Sequence, residues 1–480
     1  MFSDRTYQIQ IIKDELARQR KLPRLTKSTK NTVFTKVNEK AKGYLILFLE
    51  TSSIHGLNHF VAARRHICEV LLWLVIVIMS VFGAVSLSWT TWMRYQSSPT
   101  VVSMDRDMFA WNTTFPCVTI CPEDKVDQDK LDLYITNSDA EDKEELEKFI
   151  KVLTNANYKN LDPNMPDYDG ISPEDYMDTI LNVSVIFNPT LTIGAAGVNL
   201  EVVPTITEMG LCFAINSQIA VYNSPEYRKA NRRDIIDSSN NSFFIHPLDG
   251  EVFATAVNLS TPYNAYIHGP LEVPDIATKY EQSTINFYMK LYVTAISVYT
   301  GPDAAKLSVS QRRCRFLREN NLKHNTIYTY NMCRMECRIR LCLKFCQCIP
   351  HFYRRIGDER ICDVKGLRCL ANRKDELYKL TNKDGRRIDC GCLSNCDEVN
   401  FIIQSNVIQP WFLGTNLQWG LVTYPRLRYH RDIIFGFTDV LVAVGGMAGL
   451  FLGCSVLSFM EIVYFLTLRL VCYTRATIEK

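Results

Sequence analysis

The stretch ICEVLLWLVIVIMSVFGAVSLSW, residues 67–89, carries one charged group, Glu69, at its leading edge. At the helical rise it extends about 34 Å, enough for a hydrocarbon core of about 30 Å. Apolar side chains cover every face, whereas a helix lying on the surface of a soluble core shows a polar stripe. The stretch therefore reads as a membrane span. A second apolar segment, residues 433–466, runs through LVAVGGMAGLFLGCSVLSFMEIVYFL, with Gly445, Gly446, Gly449, Gly453 and the acidic Glu461. YLILFL, residues 44–49, is too short to cross, and the opening MFSDRTYQ lacks the early apolar core of a secretory signal.

Two spans put both ends on one side. Residues 1–66 carry 13 Lys/Arg against 5 Asp/Glu, and the tail 467–480 carries Arg469, Arg475 and Lys480 against Glu479. The excess of basic residues predicts that both termini are cytoplasmic. Residues 90–432 are then outside, and Trp89, Trp92 and Tyr95 fall where an outer aromatic belt belongs. Of the 17 cysteines, all but Cys68, Cys454 and Cys472 lie between 90 and 432. So do the four glycosylation sequons, at Asn112, Asn182, Asn240 and Asn258. Both features belong to an oxidising compartment.

The 480 residues balance 54 Lys+Arg against 51 Asp+Glu, a net charge of +3, which gives no footing for nucleic acid. With 47% hydrophobic and 22% charged residues the chain is not a disordered one. In the outer part, NVSVIF (182–187), GEVFATAVNL (250–259) and KLYVTAISV (290–298) read as short strands. SDAEDKEELEKFIKVL (138–153) reads as a capped amphipathic helix with acidic early turns. The outer part is thus expected to be a mixed α+β domain.

Eleven cysteines crowd residues 314–396. Cys333 and Cys337, in the helix-compatible NMCRMECRIRLCLKF, stand about 6.0 Å apart along a helix axis. Cys390 and Cys392, in DCGCLSNC, stand about 6.6 Å apart on one face of a strand. Two rungs in antiparallel order, Cys333–Cys392 and Cys337–Cys390, fit this spacing. Paired thiols also make zinc sites, but no histidine stands in register with these. Spacing alone leaves the other pairings open.

Several strings, in order, resemble the degenerin/epithelial sodium channel family, most closely its insect pickpocket branch. FLETSSIHGLNHF resembles the family's His-Gly gating motif, here His55 and Gly56. FPCVTICP (115–122), GLCFAIN (210–216), the cysteine-dense stretch and GLFLGCSVLSFMEIVYF (449–465) resemble, in turn, the first ectodomain strand, a palm element, the thumb and the pore helix. The resemblance implies a trimer, homomeric or with related subunits, whose ectodomain is a hand of palm, thumb, finger, knuckle and β-ball. It implies bridges Cys121–Cys212, Cys314–Cys396, Cys346–Cys369 and Cys348–Cys362 beside the two rungs, and leaves Cys117 and Cys342 unassigned. It further implies a selectivity filter at Gly453, Cys454 and Ser455, a gating position at Val442, and Glu461 at the inner mouth.

The physical readings run beside it. Gly445, Gly449 and Gly453 form a small-xxx-small series, which serves close helix packing as readily as a pore. A break in such a helix turns backbone carbonyls toward cations, and irregular backbone at membrane depth is tolerated where it lines water or is buried. An ionised Glu461 costs about 2.5–3.5 kcal/mol within a span unless it faces water or a partner. Ser458, one turn beyond the filter, is expected to matter less than Ser455. Gly56 permits a tight turn beside His55. The resulting expectation is a subunit of a trimeric plasma-membrane cation channel, sodium-selective and amiloride-sensitive, gated by an extracellular ligand or by force. Its partners are membrane lipid, sodium ions and related subunits, and it needs no cofactor and no structural metal. Two-span ATP-gated trimers share the topology but lack the Gly-X-Ser filter. A two-span ecto-enzyme would need a phosphate loop or catalytic motif, and the sequence contains no GxxxxGK[ST], HExxH or GxSxG.

Overall fold

The computed structural model describes residues 27–62, 66–195, 198–236, 243–382 and 384–478. Asn240 lies outside the described residues, as does most of the basic N-terminal stretch. The chain divides into two compact units: Ser98–Ile434, and the segments on either side of it.

The flanking segments are helical. A helix at Lys27–Thr51 contains the apolar 44–49 run. The helix Ile67–Ser97 continues well past residue 89 and carries Trp89, Trp92 and Tyr95 on its last turns. Leu72, Ile78, Met79, Phe82 and Val85 are all exposed on it, as a lipid-facing helix requires. The second apolar segment is interrupted. Ile433 ends a strand, a helix spans Phe437–Leu452, a second spans Val456–Tyr464, and a π turn at Phe465–Arg469 leads into Leu470–Ile478. Among the described residues, Ile67–Ser97 and Val456–Arg475 are by length and composition the candidate membrane-crossing helices. Asp439, which the sequence reading passed over, accepts the Gly436 N–H at 2.8 Å and so caps the helix that begins at Phe437.

The Ser98–Ile434 unit is a mixed α+β fold with two main sheets. The larger is built on the strand Phe287–Thr300. One edge of that strand pairs antiparallel with Glu398–Pro410, the other runs parallel to Thr415–Thr423 and then to Arg428–Ile433. Val252–Leu259 and Thr190–Ile193 extend the sheet at one side, and Thr100–Asp105 closes it at the other. The smaller sheet orders Glu281–Ser283, Tyr263–His268, Cys117–Pro122, Gly210–Ile215 and Val202–Thr207. Phe115 and inward-facing residues of both sheets, among them Val118, Ile120, Ala254, Leu291 and Trp419, form one core. Each fully buried Val, Leu, Ile or Phe side chain in it contributes about 1.5–3 kcal/mol. Trp419 is tied across the core by its indole N–H, which donates to the Pro116 carbonyl at 3.0 Å.

A second core gathers the helices and most of the cysteines. The helix Tyr330–Cys346 starts where the Thr329 hydroxyl accepts the Met332 N–H and stops at Gln347, which takes a left-handed conformation. Its Arg338 is fully buried, with the carboxylates of Glu208 and Asp275 at 3.0 and 3.1 Å. Removing Arg338 would leave buried carboxylates uncompensated, a loss of about 3–5 kcal/mol. Six disulfides cross-link the unit: Cys121–Cys212, Cys314–Cys396, Cys333–Cys392, Cys337–Cys390, Cys346–Cys369 and Cys348–Cys362.

Three local expectations are corrected. Residues 390–392 form no strand, because Gly391 sits at φ +66°; the flanking cysteines nonetheless both come within 5.7 Å, Cα to Cα, of their partners. NVSVIF is not a strand either. Asn182 and Val183 end the helix Tyr176–Val183, whose buried Tyr176, Thr179, Ile180 and Val183 give it a helical apolar face. The acidic helix begins at Lys143, not Ser138, because the Asp142 carboxylate accepts the Glu145 N–H and fixes the start there.

Candidate functional site

The helix Phe437–Leu452 ends at Gly453, whose φ of +63° turns the chain out of the helix. The Gly453 N–H still reaches the Gly449 carbonyl at 2.9 Å, and the Cys454 N–H reaches that of Ala448 at 3.3 Å. Helical geometry resumes at Val456, with Ser455 as the cap. The Ser455 hydroxyl accepts the Ser458 N–H at 3.3 Å, and the Ser458 hydroxyl accepts the Ser455 N–H at 3.2 Å. Gly453, Cys454 and Ser455 are therefore the irregular backbone between two helices. A left-handed residue and a reciprocal serine cap hold them in place.

A loop from the N-terminal segment seats against this break. The His55 N–H donates to the Leu452 carbonyl at 3.1 Å, one of the acceptors that a helix end leaves unsatisfied. The Ser53 hydroxyl bonds that of Ser458 at 2.8 Å, and the Ser53 N–H donates to the Glu461 carboxylate at 3.2 Å. A Cβ on Gly453 would lie 1.7 Å from His55 Nδ1, so the glycine is required by contact as well as by φ. Gly56 is also left-handed, at φ +91°, and a Cβ there would meet Val77 Cγ2 at 2.9 Å. His59 stacks on Trp73 with ring centres 4.0 Å apart. The His-Gly loop is thus pinned on one side by the first long apolar helix and on the other by the break. Phe451 packs at the place where a Cβ of Gly83 would stand, 2.9 Å from its ring.

The residues expected from sequence fall into two groups. His55, Gly56, Gly453, Cys454, Ser455 and Glu461 come together. Val442 does not join them; it is 74% exposed on the helix Phe437–Leu452. Among the described residues outside their own helix backbone and chain neighbours, none has an atom within 4 Å of a Cβ built on Gly445 or Gly446, and these two positions face open space within one subunit. Ser458, expected to matter less than Ser455, is buried and is the shared partner of Ser455 and Ser53. Ser53 and Ser458 were legible only as a serine three residues past the cap and a serine beside the His-Gly pair, a weak signal. In the disulfide-rich unit, Asn112, Asn182 and Asn258 are all exposed, as glycan attachment requires. Cys117 and Cys342 are buried thiols, and burial pushes both up in pKa.

A family model described as "Amiloride-sensitive sodium channel" matches residues 48–465, from the His-Gly loop through the helix break. The chain belongs to this family. Within it, the chain is similar to Sodium channel protein Nach of Drosophila melanogaster, 22% identical over 482 residues, covering 89% of this chain and 89% of that protein. Pickpocket protein 19 of the same fly is 24% identical over 475 residues, covering 86% of this chain and 88% of that one. With Pickpocket protein 28 the identity is 26% over 239 residues, 45% of this chain and 39% of that protein. The two apolar helical regions and the six disulfides are those of a membrane protein of this family.

Proposed function

We propose that the chain is a subunit of a trimeric, sodium-selective and amiloride-sensitive cation channel of the plasma membrane, with both termini cytoplasmic. The observation that carries this reading is the break at Gly453, Cys454 and Ser455 between two apolar helices, stabilised by its own cap and by the His55 loop. Three copies around an axis would present backbone carbonyls and Ser455 hydroxyls to a partly dehydrated cation. Glu461 lies about two turns beyond the break, and three such carboxylates would raise the local cation concentration at the inner mouth. His55 and Gly56 would couple the N-terminal segment to the pore, and Val442 would line the approach where the trimer closes. An extracellular ligand or mechanical load on the disulfide-rich unit would supply the stimulus.

The deciding experiment is expression of the chain alone and with related subunits, recording reversal potentials in sodium and potassium with and without amiloride. Ser455→Ala and Ser455→Cys should lower the Na+/K+ permeability ratio in channels that still reach the surface. An unchanged ratio across substitutions at both Gly453 and Ser455, in channels that conduct, places the filter elsewhere.

A further inference from the structure

A cavity of about 480 Å³ opens within the Ser98–Ile434 unit, between the end of Phe287–Thr300, the start of Glu398–Pro410 and the loop that follows Tyr263–His268. Its size is that of small-molecule sites, ~300–1,000 Å³. Three carboxyl groups line it: Glu272, Asp397 and Glu398. The one basic residue in the lining, Arg428, is turned toward Asp105 and two aromatic rings, and its Nε has no hydrogen-bond partner among the described residues. Its guanidinium is 3.6 Å from Asp105 and stands over the rings of Trp111 and Tyr299, at 4.6 and 5.2 Å. Arg431, outside the lining, offsets part of the charge of Asp397 and Glu398, and three carboxyl groups against that one cation leave the cavity with an acidic excess. Asn395 adds an independent observation. It is only 8% exposed and its amide N–H donates to Glu272 at 3.3 Å, but its Oδ1 accepts no hydrogen bond. An unsatisfied buried acceptor costs about 1–3 kcal/mol and calls for a donor. Leu271 and Phe244, the latter half-exposed, supply an apolar wall.

We infer that this cavity binds a small organic cation, a protonated amine on an apolar body, with the ammonium between Glu272, Asp397 and Glu398 and the body against Phe244. The ammonium offers several N–H donors to the carboxylates, and charge-assisted bonds of this kind are the strong ones. The Asp397 carboxylate spends one oxygen on the Thr300 N–H at 2.9 Å and keeps the other for a ligand. Occupancy should also depend on pH. Burial raises the Glu272 carboxyl to about 8, against hydrogen bonds from Thr329 and the Val273 N–H, with the charge of Glu398 adding to the rise. Burial raises Asp397 too, opposed by the Thr300 N–H and by Arg431. A cation that needs these groups ionised binds more tightly as pH rises toward 8.

The test is isothermal titration of the full chain in lipid nanodiscs with tryptamine, with neutral indole-3-ethanol and anionic indole-3-acetate as matched probes. Tryptamine should bind at least about 10-fold more tightly than either, a difference of about 1.4 kcal/mol. Its affinity should rise between about pH 6 and about pH 8.5, where Glu272 ionises while the amine stays charged. Glu398→Gln and Asp397→Asn, which keep shape and remove charge, should each weaken it by about 10-fold or more. Equal binding of indole-3-ethanol, or no binding of tryptamine at millimolar concentration, overturns the inference on the unmodified chain alone. Undiminished tryptamine binding in both variants overturns it as well. Calorimetry reads binding without reference to conduction, so a failed pore reading leaves this result interpretable.

Discussion

The imidazole of His55 fills the space that a side chain at residue 453 would occupy, 1.7 Å from where that Cβ would stand. The helix break and the N-terminal loop are therefore one piece of structure. Gly453→Ala should fail twice, by collision with His55 and by a left-handed φ that costs a residue with a Cβ about 1–2 kcal/mol. His55→Ala in the same chain removes the collision only. The double variant should recover surface delivery, measured by surface biotinylation, above that of Gly453→Ala alone. Recovery absent in the double variant would mean that φ strain is the whole defect.

Ser458 holds the break from below. Ser458→Ala removes the acceptor for the Ser455 N–H and the partner of Ser53, and losing a cap of this kind costs about 0.5–2 kcal/mol. The permeability ratio for sodium over potassium should fall with Ser458→Ala, as is expected for Ser455→Ala. Reversal potentials equal to wild type in the alanine variant would show that the cap is dispensable for selectivity.

Cys333 and Cys392 act as a unit. Cys333→Ser, Cys392→Ser and the double variant each lose the same bridge, so the three should reduce surface expression equally, each by the folding cost of one disulfide, about 2–5 kcal/mol. Additive losses in quantitative surface labelling would contradict the pairing.

His324 supplies a pH dependence with a definite sign. It is buried, with Glu336 at 2.9 Å from Nδ1 and Glu359 at 2.8 Å from Nε2. Burial by itself would lower the imidazole, but the hydrogen bonds and charges of Glu336 and Glu359 outweigh it and leave the pKa raised. Its contribution to stability is therefore complete below the ordinary histidine value of about 6.5 and is lost as pH rises through the higher folded value. Burial would raise Glu336 and Glu359, yet bonding to His324, and to Lys323 for Glu359, holds both below the usual carboxylate range. Their contribution is lost only as pH falls through those lowered values. Thermal unfolding of the full chain should show an alkaline decline that is smaller in His324→Gln, the remainder coming from buried carboxyls with raised values such as Glu272. An identical alkaline decline in that variant would assign it to other groups.

The parts of this fold that were legible are those written in composition and short-range spacing. An all-round apolar face marks Ile67–Ser97, and the i,i+4 and i,i+2 cysteines mark the two rungs on the helix Tyr330–Cys346. What sequence hid was backbone conformation and long-range contact. Gly391 breaks an apparent strand by a single positive φ, and the β-branched residues of NVSVIF yield to the packing of Tyr176 and Ile180. The meeting of Ser53 with Ser458 and Glu461 joins opposite ends of the chain, and no local pattern encodes it.

The pairing of Thr100–Asp105 with Arg428–Ile433 has a consequence for how the protein is made. Thr100 faces Ile433, so the first strand of the disulfide-rich unit to be synthesised waits for the last. About 330 residues separate them, which at ribosomal rates is a delay of roughly 20–60 s. Throughout it, Val101, Val102 and Met104 belong to an unpaired edge open to wrong partners, a state that calls for chaperone cover until translation is nearly complete.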